Sequence, residues 1–156
     1  MEGCVMNDPT ERAPIEDAGR FLSQSERRLA DFLSHNLHAP LVWEPVAPAL
    51  QVDTAGGTIF KYQPDFVIRD VDTGRTLFVE LQSVQGLSLS NLVKFKFVSD
   101  AAKRAGGEFL LLVEGDADAT AIQRSLASQG VRAVRLGERG EAETISAIQT
   151  AIKPPA

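Results

Sequence analysis

Three polar side chains within one short stretch have the types needed to hold a cation and act on water. The stretch is Tyr62 to Ser83, YQPDFVIRDVDTGRTLFVELQS, and the residues are Asp65, Glu80 and Gln82. Two carboxylates brought close together repel each other unless a cation offsets their charge. Oxygen donors of this kind suit Mg2+ or Mn2+, which keep several waters and accept phosphate oxygens. Such an ion neutralises charge on a phosphate under attack and acidifies a bound water. The competing reading is an ordinary hairpin whose acids face solvent, where most charged side chains lie.

The strands decide between these readings. Side chains two residues apart on a strand share a face. Glu80 and Gln82 therefore share one face, and Leu77, Val79 and Leu81 feed the core from the other. Asp65 joins the polar face in one register and leaves it in another. With Val71 opposite Thr76 across a four-residue loop, Asp65 lies opposite Gln82 and Val67 opposite Glu80, so all three polar groups converge. A three-residue loop with a bulge at Gly74 instead puts Asp65 opposite Leu81 and separates the carboxylates.

Around this hairpin the pattern predicts alternating elements. Leu22, Leu29, Leu33 and Leu37 recur at helical spacing, with Ser23 or Ser25 as cap, which predicts a helix over about 25–37. LVWEPVAPALQV is extended, with Pro45 and Pro48 marking an edge or bent strand. After the turn at Ala55-Gly56-Gly57, strands are expected over 58–69 and 76–82, joined by Asp72-Thr73-Gly74-Arg75. Ser90 can cap a helix over about 91–105, closed by Gly106-Gly107. EFLLLVEG reads as a strand buried on both faces. A helix over 119–129, the strand VRAVRL and a helix over 142–152 complete the chain. The expected order is α-β-β-β-α-β-α-β-α. It predicts an α/β fold whose central mixed sheet joins an antiparallel meander to parallel strands, with helices on both faces.

The run Tyr-x-Pro-Asp-Phe, a glycine turn and then Val-Glu-Leu-Gln resembles the PD-(D/E)xK nuclease superfamily, which includes restriction endonucleases, transposon-end endonucleases and Holliday-junction resolvases. The resemblance covers roughly residues 22–115, and the α-β-β-β-α-β order matches that superfamily's core. It implies a restriction-endonuclease-like fold that hydrolyses DNA. It also implies that Asp65 and Glu80 bind Mg2+ or Mn2+, with the Leu81 carbonyl as a further ligand. Gln82 departs from the pattern, since the family has a lysine there. Glutamine brings no positive charge, but its amide can hydrogen-bond a water. An inactive version of the same fold, binding nucleic acid or a protein partner, is the alternative that this departure keeps open.

Two residues break the faces of their helices. Glu26 falls in the middle of the leucine arc, where a carboxylate needs a partner. The resemblance implies that such an acid from the first helix reaches the metal, while its position near Ser23 and Ser25 equally suits a helix cap. Lys94 falls near the centre of the apolar arc formed by Leu92, Phe95, Val98 and Ala102. It either snorkels past the core or, as the resemblance allows, supplies from this helix the charge that Gln82 lacks. Lys96 lies on the polar strip, as a phosphate contact or a surface charge. Glu44 could approach the site or stay exposed, Trp43 is expected in the core, and His35 and His38 suit the end of the first helix.

Composition bounds the rest. The 156 residues are 44% hydrophobic, enough for one domain with a sizeable core. Residues 1–20 read as a loose acidic leader without a signal-peptide core, and 21–153 as the single domain. One cysteine, Cys4, excludes an internal disulfide and a cysteine-based zinc cluster. No apolar run is long enough for a membrane helix, so a cytoplasmic protein is expected. The net charge of −5 is divided as −4 over residues 1–19 and −1 over the rest, so a basic face beside an acidic site remains compatible with DNA. A domain this small leaves sequence reading to a homodimer mate or a partner protein, because metal–phosphate chemistry carries no base information.

Overall fold

The computed structural model describes residues 23–45, 47–54, 56–57, 59–83, 87, 89–114, 120–136 and 141–153. The leader and Cys4 lie outside the described residues. The elements are α1 (Gln24–Asn36), β1 (Leu41–Glu44), β2 (Leu50–Asp53), β3 (Ile59–Tyr62), β4 (Phe66–Asp70), β5 (Thr76–Ser83), α2 (Leu89–Arg104), β6 (Glu108–Glu114), α3 (Thr120–Ser128), β7 (Arg132–Leu136) and α4 (Glu141–Ile152). A five-stranded sheet has the order β1-β4-β5-β6-β7, and β2 and β3 form a separate two-stranded sheet. The pairs β1·β4 and β4·β5 are antiparallel, while β5·β6 and β6·β7 are parallel. The expected mixed α/β sheet flanked by helices is therefore present. No helix among the described residues is long and apolar enough to cross a membrane.

Two expected strands are each divided in two, and proline is the reason. A proline has no N–H for a ladder and is tolerated only at strand ends, edges and bulges. Pro45 and Pro48 end β1 and delay β2, so LVWEPVAPALQV serves two different sheets. Pro64 is buried between β3 and β4, so the segment expected as one strand over 58–69 changes sheets at Gln63-Pro64-Asp65. The Gln63 amide pins this corner by donating to the Ala47 carbonyl at 2.8 Å. Asp65 thus stands just ahead of β4, outside the ladder. The second helix also begins earlier than expected, at Leu89, which leaves Ser90 inside it.

The observed hairpin register follows neither expectation in detail. Arg69 pairs with Thr76 and Phe66 with Val79, and the Asp70 amide donates to the Arg75 carbonyl. The loop has four residues, as in the convergent register, but is shifted by one position towards the N-terminus. Moving both closing residues by one slides the strands by two, and a slide of two keeps every side chain on its face. Continued past β4, this register sets Asp65 opposite Glu80 rather than Gln82. The separating three-residue loop with a Gly74 bulge is not formed, although Gly74 does take a positive φ of 76° in the turn.

Two apolar layers sandwich the sheet. Val67, Phe78, Leu111 and Val113 face α2 and the small sheet through Phe95, Val98 and Val52. Phe66, Ile68, Leu77, Val79, Leu110 and Leu112 face α1 and α4 through Leu29, Leu33 and Ile148. Trp43 meets Phe66 edge-on at 5.6 Å and belongs to this second layer. The connection from α2 to β6 closes with the Gly107 amide donating to the Ala102 carbonyl, five residues back, and Gly106 at φ 84°, a glycine C-cap. A side chain at Gly107 would bring its Cβ to 2.3 Å from the Thr76 carbonyl and 3.1 Å from the Phe78 ring. That backbone cannot withdraw without breaking the β5·β6 pair. Gly107→Ala is expected to destabilise the fold by about 1–3 kcal/mol, read as a lowered midpoint in urea unfolding. An unchanged midpoint would show that β5 and β6 do not meet this closely.

Candidate active site

Asp65, Glu80, Leu81 and Gln82 line one open pocket of about 330 Å³, together with Glu26 from α1 and Glu114 from β6. The pocket lies where β5 outruns β4. Ladder pairing between them stops at Phe66–Val79, so the amides of the last β5 residues on that side need another acceptor. The Asp65 carboxylate supplies one, accepting from the Leu81 N–H at 2.9 Å. The proline corner that expels Asp65 from the strand thereby lets its side chain finish the sheet.

Glu26 reaches the same place from the opposite layer. It sits in the first turn of α1, where its Oε1 accepts from the Ser23 amide at 2.9 Å and the Ser23 hydroxyl accepts from the Glu26 amide at 3.1 Å. This is a reciprocal capping box, whose serine contributes about 1 kcal/mol to the helix. The Glu26 side chain also hydrogen-bonds that of Asp65. The expected helix cap is therefore present, and the same side chain lines the pocket beside Asp65.

The electrostatics follow from this crowding. Burial, then the bond to Glu26, then the charge of Glu80 push the Asp65 carboxyl up to about 8, against a smaller opposing effect of the Leu81 amide. Burial also raises Glu80, and Tyr62, the Lys94 ammonium and the Asp65 amide oppose the rise. Burial and the two nearby carboxylates push the Tyr62 hydroxyl well above its usual range. Tyr62 and Glu80 shift one another's ionisation, and Tyr62 Oη and Glu80 Oε1 are both buried without a hydrogen-bond partner.

Lys94 does not line the pocket. Its ammonium lies 5.2 Å from the centre of the Tyr62 ring and 5.0 Å from that of Phe95, with its charge felt at Glu80. Gln82 lines the pocket, and its Oε1 accepts from the Ser83 amide at 3.3 Å. Lys96 is engaged by Asp100 at 3.2 Å. Glu44 is half-exposed and paired with Arg69 at 2.6 Å, away from the pocket. His35 binds the Asp31 carbonyl through Nδ1 at 2.8 Å.

Sequence reasoning missed three members of this neighbourhood. Glu114 accepts from the Ser25 hydroxyl at 2.7 Å and from Arg28 at 3.2 Å, tying α1 to the end of β6. Glu114 ends a buried parallel strand, and ligand sites in α/β sheets gather at the carboxyl ends of such strands, which was the available signal. Tyr62 opens the quoted stretch, but only the packing of β3 on α2 shows what it touches. Arg28 carried no signal.

Among the described residues, no group of three or more His, Cys, Asp and Glu side chains is already gathered as a metal cage. Glu26 is turned to its cap and Asp65 to the Leu81 amide. The donors nonetheless fit a hard divalent cation: all are oxygens, Asp65 and Glu80 are largely desolvated, and one Glu80 oxygen is buried without a partner. No family model matches the chain, and no curated protein matches it. Among solved structures, the chain is similar to the MunI restriction endonuclease in complex with cognate DNA. The identity is 15% and the TM-score 0.46, over 94% of this chain and 95% of that one. The fold described above rests on this chain's own strand order and layers.

The raised Asp65 carboxyl makes stability depend on pH. Its folded pKa of about 8 stands above the ordinary 3.8 of the unfolded chain. Its favourable contribution is therefore complete below about 3.8 and lost as pH rises through about 8. The thermal midpoint of the metal-free protein is expected to fall over this window. Asp65→Asn, neutral throughout, should show a flatter profile, and saturating Mn2+ should restore the wild-type midpoint at the alkaline end. Parallel profiles for wild type and Asp65→Asn would contradict the burial of this group.

Proposed function

We propose that this chain is a cytoplasmic, metal-dependent endonuclease that hydrolyses DNA phosphodiester bonds. The observation that carries the reading is that Asp65 and Glu80 line one pocket, with both carboxyls raised by burial. Such a pair is costly unless a cation repays it. A divalent ion held by Asp65 and Glu80, with Glu26 and the Leu81 carbonyl as further oxygen donors, would supply charge neutralisation and an acidified water.

The chain's own residues do the remaining work in this reading. The Gln82 amide orients a water at the pocket wall by hydrogen bonding. The Lys94 ammonium, whose charge is felt at Glu80, offsets negative charge gathering on the phosphate. Glu26 links the start of α1 to Asp65, and Glu114 braces the same helix through Ser25 and Arg28. Base selection would come from a second copy of the chain or a partner protein.

The test is Mn2+- or Mg2+-dependent cleavage of supercoiled and branched DNA. Asp65→Ala and Glu80→Ala should each lower the rate by about 100-fold or more, with chelator abolishing activity in the wild type. Equal cleavage by wild type and Asp65→Ala would place the activity elsewhere. A second reading, a silent nuclease fold that binds nucleic acid or protein, is favoured by Gln82 in the lysine position and by Lys94 standing outside the pocket. DNA binding without metal-dependent cleavage would decide for it.

A further inference from the structure

We infer that Tyr62 is a positioning residue that holds the Lys94 ammonium beside Glu80, an inference that rests on the nuclease reading of this pocket. Tyr62 ends β3 and packs against the core between the small sheet and α2. The Lys94 ammonium lies 5.2 Å from the centre of its ring, and its hydroxyl is buried without a partner, as is Oε1 of Glu80, where both residues are felt. One side chain therefore touches the cation with its face and approaches the carboxylate with its tip.

The second ring against Lys94 has a different status. Phe95 is the next residue on the same helix and travels with Lys94 wherever α2 goes. Tyr62 comes from another sheet and stands three residues before Asp65, across the rigid Gln63-Pro64 corner. The ring thus fixes the ammonium relative to the carboxylates rather than to its own helix. A lysine is otherwise a flexible chain that extends towards water. A partly desolvated ammonium gains more from an aromatic face than an exposed one does, which opposes that escape. With the ring removed, Lys94 keeps its place in the sequence and loses its place beside Glu80.

The chain contains a single tyrosine, so 3-fluorotyrosine labels Tyr62 alone. In the metal-free full chain, Lys94→Met is expected to move the fluorine resonance clearly, and Lys96→Met to leave it in place. In Mn2+-dependent DNA cleavage, Tyr62→Leu is expected to lower kcat roughly tenfold with little change in KM, and Tyr62→Phe to keep most of the rate. Lys94→Met should cost less in the Tyr62→Leu background than in the wild type, because the two residues act together. A fluorine resonance indifferent to Lys94→Met, or fully additive losses, would overturn the inference. A wild-type chain that does not cleave DNA would end the nuclease reading, and the fluorine measurement would still decide whether Tyr62 holds Lys94. That measurement needs no Tyr62 variant to fold.

Discussion

Two carboxylates are taken out of water at one end of the sheet, and much of the surrounding structure answers that cost. Desolvation penalises the charged form of each, the Glu80 charge adds to the penalty on Asp65, and the Glu26 charge adds to that on Glu80. The chain meets it with what is locally at hand: the Leu81 amide on Asp65 and a lysine charge felt at Glu80. None of these fully satisfies the group, since one Glu80 oxygen has no partner. A protein selected for stability alone would place an apolar pair at these positions. Retaining the acids is the arrangement expected where strain is kept for a ligand.

The fold brings four elements to this point for separate reasons. The proline corner before β4 frees Asp65 from the ladder. The length of β5 beyond β4 exposes the Leu81 amide and carries Glu80 and Gln82. The capping box of α1 brings Glu26 within reach of Asp65 from the opposite layer. The small sheet presses Tyr62 onto α2, where Lys94 stands. Each has a sufficient local cause, such as a cap, a break or a packing contact, and the pocket is where these causes coincide.

Lys94 and Gln82 set the chemical character of the site. A lysine two residues after the glutamate would sit in the pocket wall with its charge facing the pocket. Here the wall holds a neutral amide, and the charge stands outside the pocket against aromatic rings. A cation there lowers the Glu80 carboxyl and acts through the carboxylate.

Much was legible in the residues themselves. Strand alternation put Glu80 and Gln82 on one face and Leu77 and Val79 in the core, because the period of two is a local property of the backbone. The glycine C-cap of α2 and the buried strand EFLLLVE were equally local. Glu26 and Lys94 were conspicuous as charges on apolar arcs, since a helix displays its faces in its spacing. What the sequence left open was long-range. Whether Asp65 met Glu80 depended on a hairpin register that two loop geometries satisfied equally. Proline marked where each divided strand breaks, but which sheet each half joined depended on what it paired with. Glu114 and Tyr62 became part of the site only when β6 paired alongside β5 and β3 settled on α2. Contacts of this kind depend on the closure of the whole chain, and no spacing along the chain encodes them.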